Sequence, residues 1–193
     1  MSSAIIEREI FPKEIHDQII AYLDEQIPYL NVEMDTDNFT RRYIHNPAFF
    51  VQIHSQLTEY VSDLCKEKLI PSYVFLSMYD ENGICPLHVD RPQCYRTLDY
   101  LIRQSPKEAW PIYVGKDMTN QELENLEERH PETPESIEKI KLETEWDQVD
   151  LLPNDGVIYS GTHSWHYRDR LPKGTADLVF FHFVSEDFDG PFN

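Results

Sequence analysis

The residues best placed to do chemistry lie in the run Tyr79-Asp80-Glu81-Asn82-Gly83-Ile84-Cys85-Pro86-Leu87-His88-Val89-Asp90. His88 and Asp90 are two apart, so on extended backbone both side chains leave the same face. An imidazole nitrogen and a carboxylate oxygen form a mixed, moderately hard donor pair that suits Fe(II), Mn(II) or Zn(II). A second imidazole would complete a three-ligand face with open positions for substrate and dioxygen. Among the other histidines, His16, His45 and His54 fall in a helical N-terminal region, His130 in an acidic stretch, and His182 inside Phe180-Phe181-His182-Phe183, where it reads as a packed core residue. His163 and His166 follow Asp155-Gly156-Val157-Ile158-Tyr159-Ser160-Gly161, a turn and apolar strand that would carry a histidine to a strand end. Either of the two could be the third ligand. Cys85 and His88, with Cys94 and His163, offer a closed structural zinc site instead. Leu87 and Val89 nevertheless alternate as strand residues do, whereas such a site needs its ligands on loops.

These residues need a scaffold. Ile15, Ile19, Ile20, Leu23 and Ile27 recur at helical spacing after Pro12, predicting a helix over 12–27. Phe50, Ile53, Leu57, Val61 and Leu64 predict a second over 47–68, with Pro71 marking its exit. Short aromatic and β-branched segments follow at 73–79, 95–102, 110–114, 149–152, 156–159 and 176–184, separated by Pro, Gly, Asn and Asp. Helices first and strands after predict an α+β fold, a β-sandwich or jelly roll buttressed by N-terminal helices. The chain reads as one domain over 1–193, with a helical buttress at 1–70 and a β core at 73–184. Residues 117–145 form an acidic insertion. Between positions 121 and 150 stand eleven acidic and three basic residues, which predicts a pair of short solvated helices rather than a lid. Trp110, Trp146 and Trp165 read as packing residues.

Composition narrows the partners. The 193 residues are 40% hydrophobic and 27% charged, which is globular composition. With 17 Lys plus Arg against 35 Asp plus Glu, the net charge of −18 repels a phosphate backbone, so nucleic acid is not expected as a partner. The same field favours a cationic or neutral small molecule, or a basic protein segment. Three cysteines form no disulfide framework and fit a reducing compartment. The first ten residues contain no apolar signal region, and no stretch is long enough to span a membrane, so a cytoplasmic location is expected.

Taken together, Tyr79, His88-x-Asp90 and the glycine-bounded strand ending before His166 resemble the Fe(II)- and 2-oxoglutarate-dependent oxygenases with a double-stranded β-helix core. The resemblance spans roughly residues 73–184. His88-Val-Asp90-Arg91-Pro92 and His166-Tyr167-Arg168 are also similar to a branch carrying H-x-D-R-P and a distal H-W-R. It implies Fe(II) on His88, Asp90 and His166, with His163 left in the connecting loop. It also implies 2-oxoglutarate chelated to the metal, dioxygen as co-reactant, and oxidation of an unactivated C–H bond, most simply hydroxylation, on a small molecule or protein side chain. The carboxylate of Asp90 disfavours the halogenase variant. Many relatives hold the far carboxylate of 2-oxoglutarate with a cation about ten residues after the distal histidine, where this chain has Gly174-Thr175-Ala176-Asp177. Arg168, which shares strand parity with His166, is the first replacement and Arg96 the second, with Lys116 and Arg170 as further cations. Tyr79 matches a position from which relatives donate a phenol hydrogen bond to the cosubstrate. Two other readings use the same fold: a metal-binding, cupin-type barrel without cosubstrate, and a metal hydrolase or isomerase with bound water as base.

Overall fold

The computed structural model describes residues 4–192 apart from Lys107 and Glu127. In chain order the strands are β1 (Ile5–Glu7), β2 (Glu33–Asp35), β3 (Arg41–His45), β4 (Leu69–Tyr79), β5 (Cys85–His88), β6 (Arg96–Ser105), β7 (Ile112–Gly115), β8 (Trp146–Val149), β9 (Gly156–Tyr159), β10 (His166–Arg168) and β11 (Thr175–Ser185). The helices are α1 (Lys13–Gln26), α2 (Ala48–Cys65), α3 (Asn120–Glu124) and α4 (Pro134–Glu143). The strands make two antiparallel sheets, β1-β9-β6-β11-β4-β3-β2 and β5-β10-β7-β8. From β4 onward the chain crosses repeatedly between them, the winding of a double-stranded β-helix.

Period-two alternation decides what each face of the large sheet meets. Val74, Leu76 and Met78 of β4, with Val179, Phe181 and Phe183 of β11, join Ile19 and Leu23 of α1 and Phe50, Leu57 and Val61 of α2 in one buried cluster. The helices therefore buttress the outer face. Tyr79, Leu101, Ala176 and Leu178 point the other way and pack with Ile112, Val114 and Val149 of the small sheet. The space between the sheets holds the candidate site.

Several elements differ from their sequence expectation. The helical N-terminal region also contains β1, β2 and β3, three to five residues each, which add to the edges of the large sheet. They are too short for a periodic signal and exist because neighbouring strands supply the pairing, β9 for β1, β3 for β2 and the long β4 for β3. Helix α2 ends at Cys65, capped by Lys66 at φ 57°, and Pro71 lies inside β4. The register with β11 shifts between His182 and Phe183 there, and such an irregularity tolerates a proline in a strand. The expected strand over 149–152 ends at Val149 and starts earlier, at Trp146. The acidic insertion does contain two short helices, but Leu126, Ile137 and Ile140 pack against Leu87, Val89, Trp165 and Tyr167 on the small sheet. It is a cover on that sheet rather than a fully solvated excursion.

Candidate metal centre

His88 is the last residue of edge strand β5, and its Cα partner across the antiparallel pair with β10 is His166. Directly opposed residues share a face, so one register contact brings the two imidazoles together, with ring centroids 4.2 Å apart. Asp90 follows two residues later, its N–H donating to the Gly161 carbonyl at 2.8 Å. His88 Nε2 is 3.3 Å from Asp90 Oδ1, and His166 Nε2 is 3.6 Å from Asp90 Oδ2. Each Nδ1 lies against a backbone carbonyl two residues upstream, Pro86 at 2.7 Å for His88 and Ser164 at 3.0 Å for His166. With Nδ1–H donating, each Nε2 points inward and, once unprotonated, presents its lone pair there. Cis ligands of a cation with bonds of about 2.1 Å stand roughly 3 Å apart, so this donor set fits a divalent ion with little movement.

The charges are consistent with a site built for a cation. Burial works against the His88 imidazolium, but Cys85 and Asp90 beside it push its pKa up to about 10. Burial, with the neighbouring His88, lowers His166 to about 4. Burial also works against the Asp90 carboxylate, yet His166 and His88 hold it below the usual range. Without metal, these shifts favour the protonated form of His88, the carboxylate form of Asp90 and the neutral form of His166. A metal would replace the His88 proton.

The centre opens into a cavity of about 260 Å³. Its lining includes Phe39, Arg41, Phe75, Asp99, Arg168 and His182 besides the three ligands. Arg168 is buried and committed: one terminal nitrogen donates to the Trp110 carbonyl and the other to Asp99 Oδ2 at 2.7 Å. Asp99 is itself fully buried, and its Oδ1 has no hydrogen-bond partner among the described residues. Arg96 is not among the lining residues; it pairs with both Glu67 oxygens at 2.5 and 3.0 Å. Lys116 pairs with Glu145, and Arg170 donates to the Asn82 carbonyl. Tyr79 is buried, its hydroxyl accepting from Arg41 at 3.2 Å. His163 bonds Thr162 and Asn120, and the four-residue zinc set does not assemble: among the described residues the three-membered groups of metal-ligating atoms are His88–Asp90–His166 and Asp90–Cys94–His182.

Arg41 is the functional candidate that sequence reasoning missed. Its guanidinium lies 3.9 Å from the Phe39 ring centroid and 4.6 Å from that of Phe75, and it donates to Ser77 Oγ at 3.0 Å as well as to Tyr79. Its buried Nε has no hydrogen-bond partner among the described residues. Strand β3 is only five residues long and shows no alternation of buried and exposed positions, so no local signal marked Arg41. His182, read as core, does pack as one, bonded to Thr97 at 3.0 Å, but it also faces the cavity.

No family model matches the chain, and no curated protein matches it. Solved structures do. The non-haem α-ketoglutarate-dependent carbocyclase SnoK from nogalamycin biosynthesis is similar over 96% of this chain and 80% of its own, with a TM-score of 0.75 at 10% identity. HygX from Streptomyces hygroscopicus, with nickel, 2-oxoglutarate and hygromycin B bound, covers 97% and 84% at a TM-score of 0.66 and 12% identity. A Pseudomonas putida prolyl-4-hydroxylase covers 95% and 93% at a TM-score of 0.62 and 8% identity. At these identities the likeness establishes the fold, the double-stranded β-helix.

Proposed function

We propose that the protein is a non-haem Fe(II)- and 2-oxoglutarate-dependent oxygenase acting on a small molecule or a protein side chain. The observation that carries this reading is the three-ligand face of His88, Asp90 and His166, open on one side to a cavity that also contains uncompensated arginine. Similarity to structures whose names specify α-ketoglutarate dependence, or that hold nickel and 2-oxoglutarate, supports the choice of cofactors.

Fe(II), when bound, would supply dioxygen activation, with 2-oxoglutarate as the co-reductant. Overall one oxygen atom enters a substrate C–H bond, the other enters the succinate carboxylate, and CO2 is lost. The chain's task is binding and orientation. His88 and His166 offer Nε2, fixed by the Pro86 and Ser164 carbonyls, and Asp90 offers a carboxylate oxygen. The far carboxylate of 2-oxoglutarate needs a cation, and Arg41 suits this role better than Arg168. The charge of Arg168 is already neutralised by Asp99, whereas Arg41 is held only by neutral hydroxyls between two rings. Arg41 is the Cα partner of Tyr79, which is in turn the partner of Ala176, so it occupies the same cross-strand row as the position lacking the downstream cation. Tyr79 then both braces Arg41 and adds its phenol to the carboxylate site. Arg168 holds the two sheets together at Asp99, and Arg96 is structural.

The test is an anaerobic titration of metal-free protein with Fe(II) and then 2-oxoglutarate, following the visible charge-transfer band of the chelate. The expected result is a band that disappears in Asp90→Ala. Iron binding without a band would favour a metal-binding barrel with no cosubstrate.

A further inference from the structure

Among the described residues ten Lys and Arg sit in salt bridges, as expected where acids outnumber bases two to one. Two arginines facing the cavity do not. Arg41 and Arg91 both line it, and among the described residues neither has a carboxylate within 4.0 Å. Arg91 is exposed at the mouth, directly after the ligand Asp90. Its guanidinium lies 4.5 Å from the Tyr73 ring centroid, and its Nε reaches the Tyr73 hydroxyl at 3.3 Å. Stacking on the ring, with a hydrogen bond to Cys94, orients the planar group, and its exposure leaves further donors for a partner in the plane.

The charge count within the cavity is specific. Asp99 cancels Arg168, and Asp90 belongs to the metal, leaving Arg41 and Arg91. If the reading above holds, the 2-oxo acid end of 2-oxoglutarate goes to the metal and its far carboxylate to Arg41. One cation then remains, at the entrance and beside the metal, where the second reactant must arrive. We infer that the substrate is a small carboxylic acid, held through its carboxylate by Arg91 and packed against the aromatic wall of Tyr73, Phe75 and Phe180. The acidic surface as a whole points to a cationic or neutral substrate, but a pocket's local charge decides recognition at contact distance, where a bidentate guanidinium–carboxylate pair outweighs a screened surface field.

This inference rests on the oxygenase reading, so the Fe(II)-loaded protein is first titrated anaerobically with 2-oxoglutarate, and failure there refutes that reading by itself. With 2-oxoglutarate saturating, calorimetry then compares benzoate, phenylacetate, 3-phenylpropionate and indole-3-acetate, each with its own primary amide. At least one acid should bind about tenfold or more tighter than its amide, a charge-assisted pair against a neutral one. That advantage should fall below about twofold in Arg91→Gln and be partly retained in Arg91→Lys, with 2-oxoglutarate still bound by both variants. The proposal is overturned if no acid outbinds its amide, if the preference survives Arg91→Gln, or if the acids displace 2-oxoglutarate instead of binding alongside it.

Discussion

Arg168 and Arg41 both face the cavity, and substitution should separate a structural cation from a binding one. Removing the guanidinium in Arg168→Met strands Asp99, which is fully buried with Oδ1 already unpartnered, and deprives the Trp110 carbonyl of its donor. Breaking a buried pair from one side costs about 3–5 kcal/mol. Protonation of Asp99 limits the loss, because burial raises its pKa and Arg168 is what lowers it. In the variant the folded state therefore binds a proton that the unfolded carboxylate, with an ordinary pKa of about 3.9, releases. The stability deficit should grow as pH rises from about 5 to 8, and denaturant unfolding of the metal-free protein at both pH values measures it. Replacing both partners, Asp99→Leu with Arg168→Met, should recover most of the loss. Affinity for 2-oxoglutarate should follow the other arginine. Arg41→Gln loses a charge-assisted hydrogen bond worth about 1.5–3 kcal/mol, on the order of 10- to 150-fold in Kd, with the metal still bound. An Arg168→Met protein that unfolds normally but loses 2-oxoglutarate, beside an Arg41→Gln protein that keeps it, would refute the assignment of both residues.

Three further outcomes follow from the geometry. Gly161→Ala should weaken metal affinity and stability together, read by metal titration and thermal unfolding, because a Cβ there would lie 2.5 Å from Asp90 Oδ2 and from the Cys94 carbonyl, which is backbone and cannot swing aside. His166→Ala should abolish metal binding while His163→Ala leaves it intact; the reverse would shift the distal ligand by three residues. His54 is buried, its Nε2 unpartnered, and burial lowers its pKa from 6.5 to about 4. The unfolded state takes up that proton first, so stability falls as pH drops from about 6.5 to 4, and His54→Leu should remove up to ~3 kcal/mol of that loss in urea unfolding series at the two pH values.

Short-range features of the site were readable along the chain. His88-x-Asp90 states its own geometry once the backbone is extended, and Gly156 to Gly161 marks a strand, β9, that ends at Tyr159, whereas His166 opens the next strand, β10, in the other sheet. The long apolar stripes of α1 and α2 likewise declared themselves, because each needs only its own periodicity and a proline at its start. What escaped were elements that exist through their neighbours. Strand β3 is five residues long and is held by its pairing with β4, so nothing local distinguished Arg41 from a loop arginine. Arg168 and Arg96 read as the first and second cations for the cosubstrate, and only the tertiary positions of Asp99 and Glu67 pair each of them with a carboxylate. The acidic insertion read as solvated because its apolar residues are sparse, yet they are sufficient to cover a patch centred on Leu87 and Trp165. Its docking also places the His130 ring on His88, centroids 5.3 Å apart, and the Arg129 carbonyl on the Val89 N–H.

The sequence alone thus determined which residue types meet at one strand end and the donor chemistry they offer, since a two-residue spacing and a strand bounded by glycines are local facts. The tertiary structure alone decided that His88 faces His166, that Arg168 is neutralised while Arg41 and Arg91 are not, and that an acid-rich chain encloses a cavity with two cations to spare. Those outcomes depend on register between strands distant in the chain and on which carboxylates come within reach of each guanidinium, and neither is encoded at any single position.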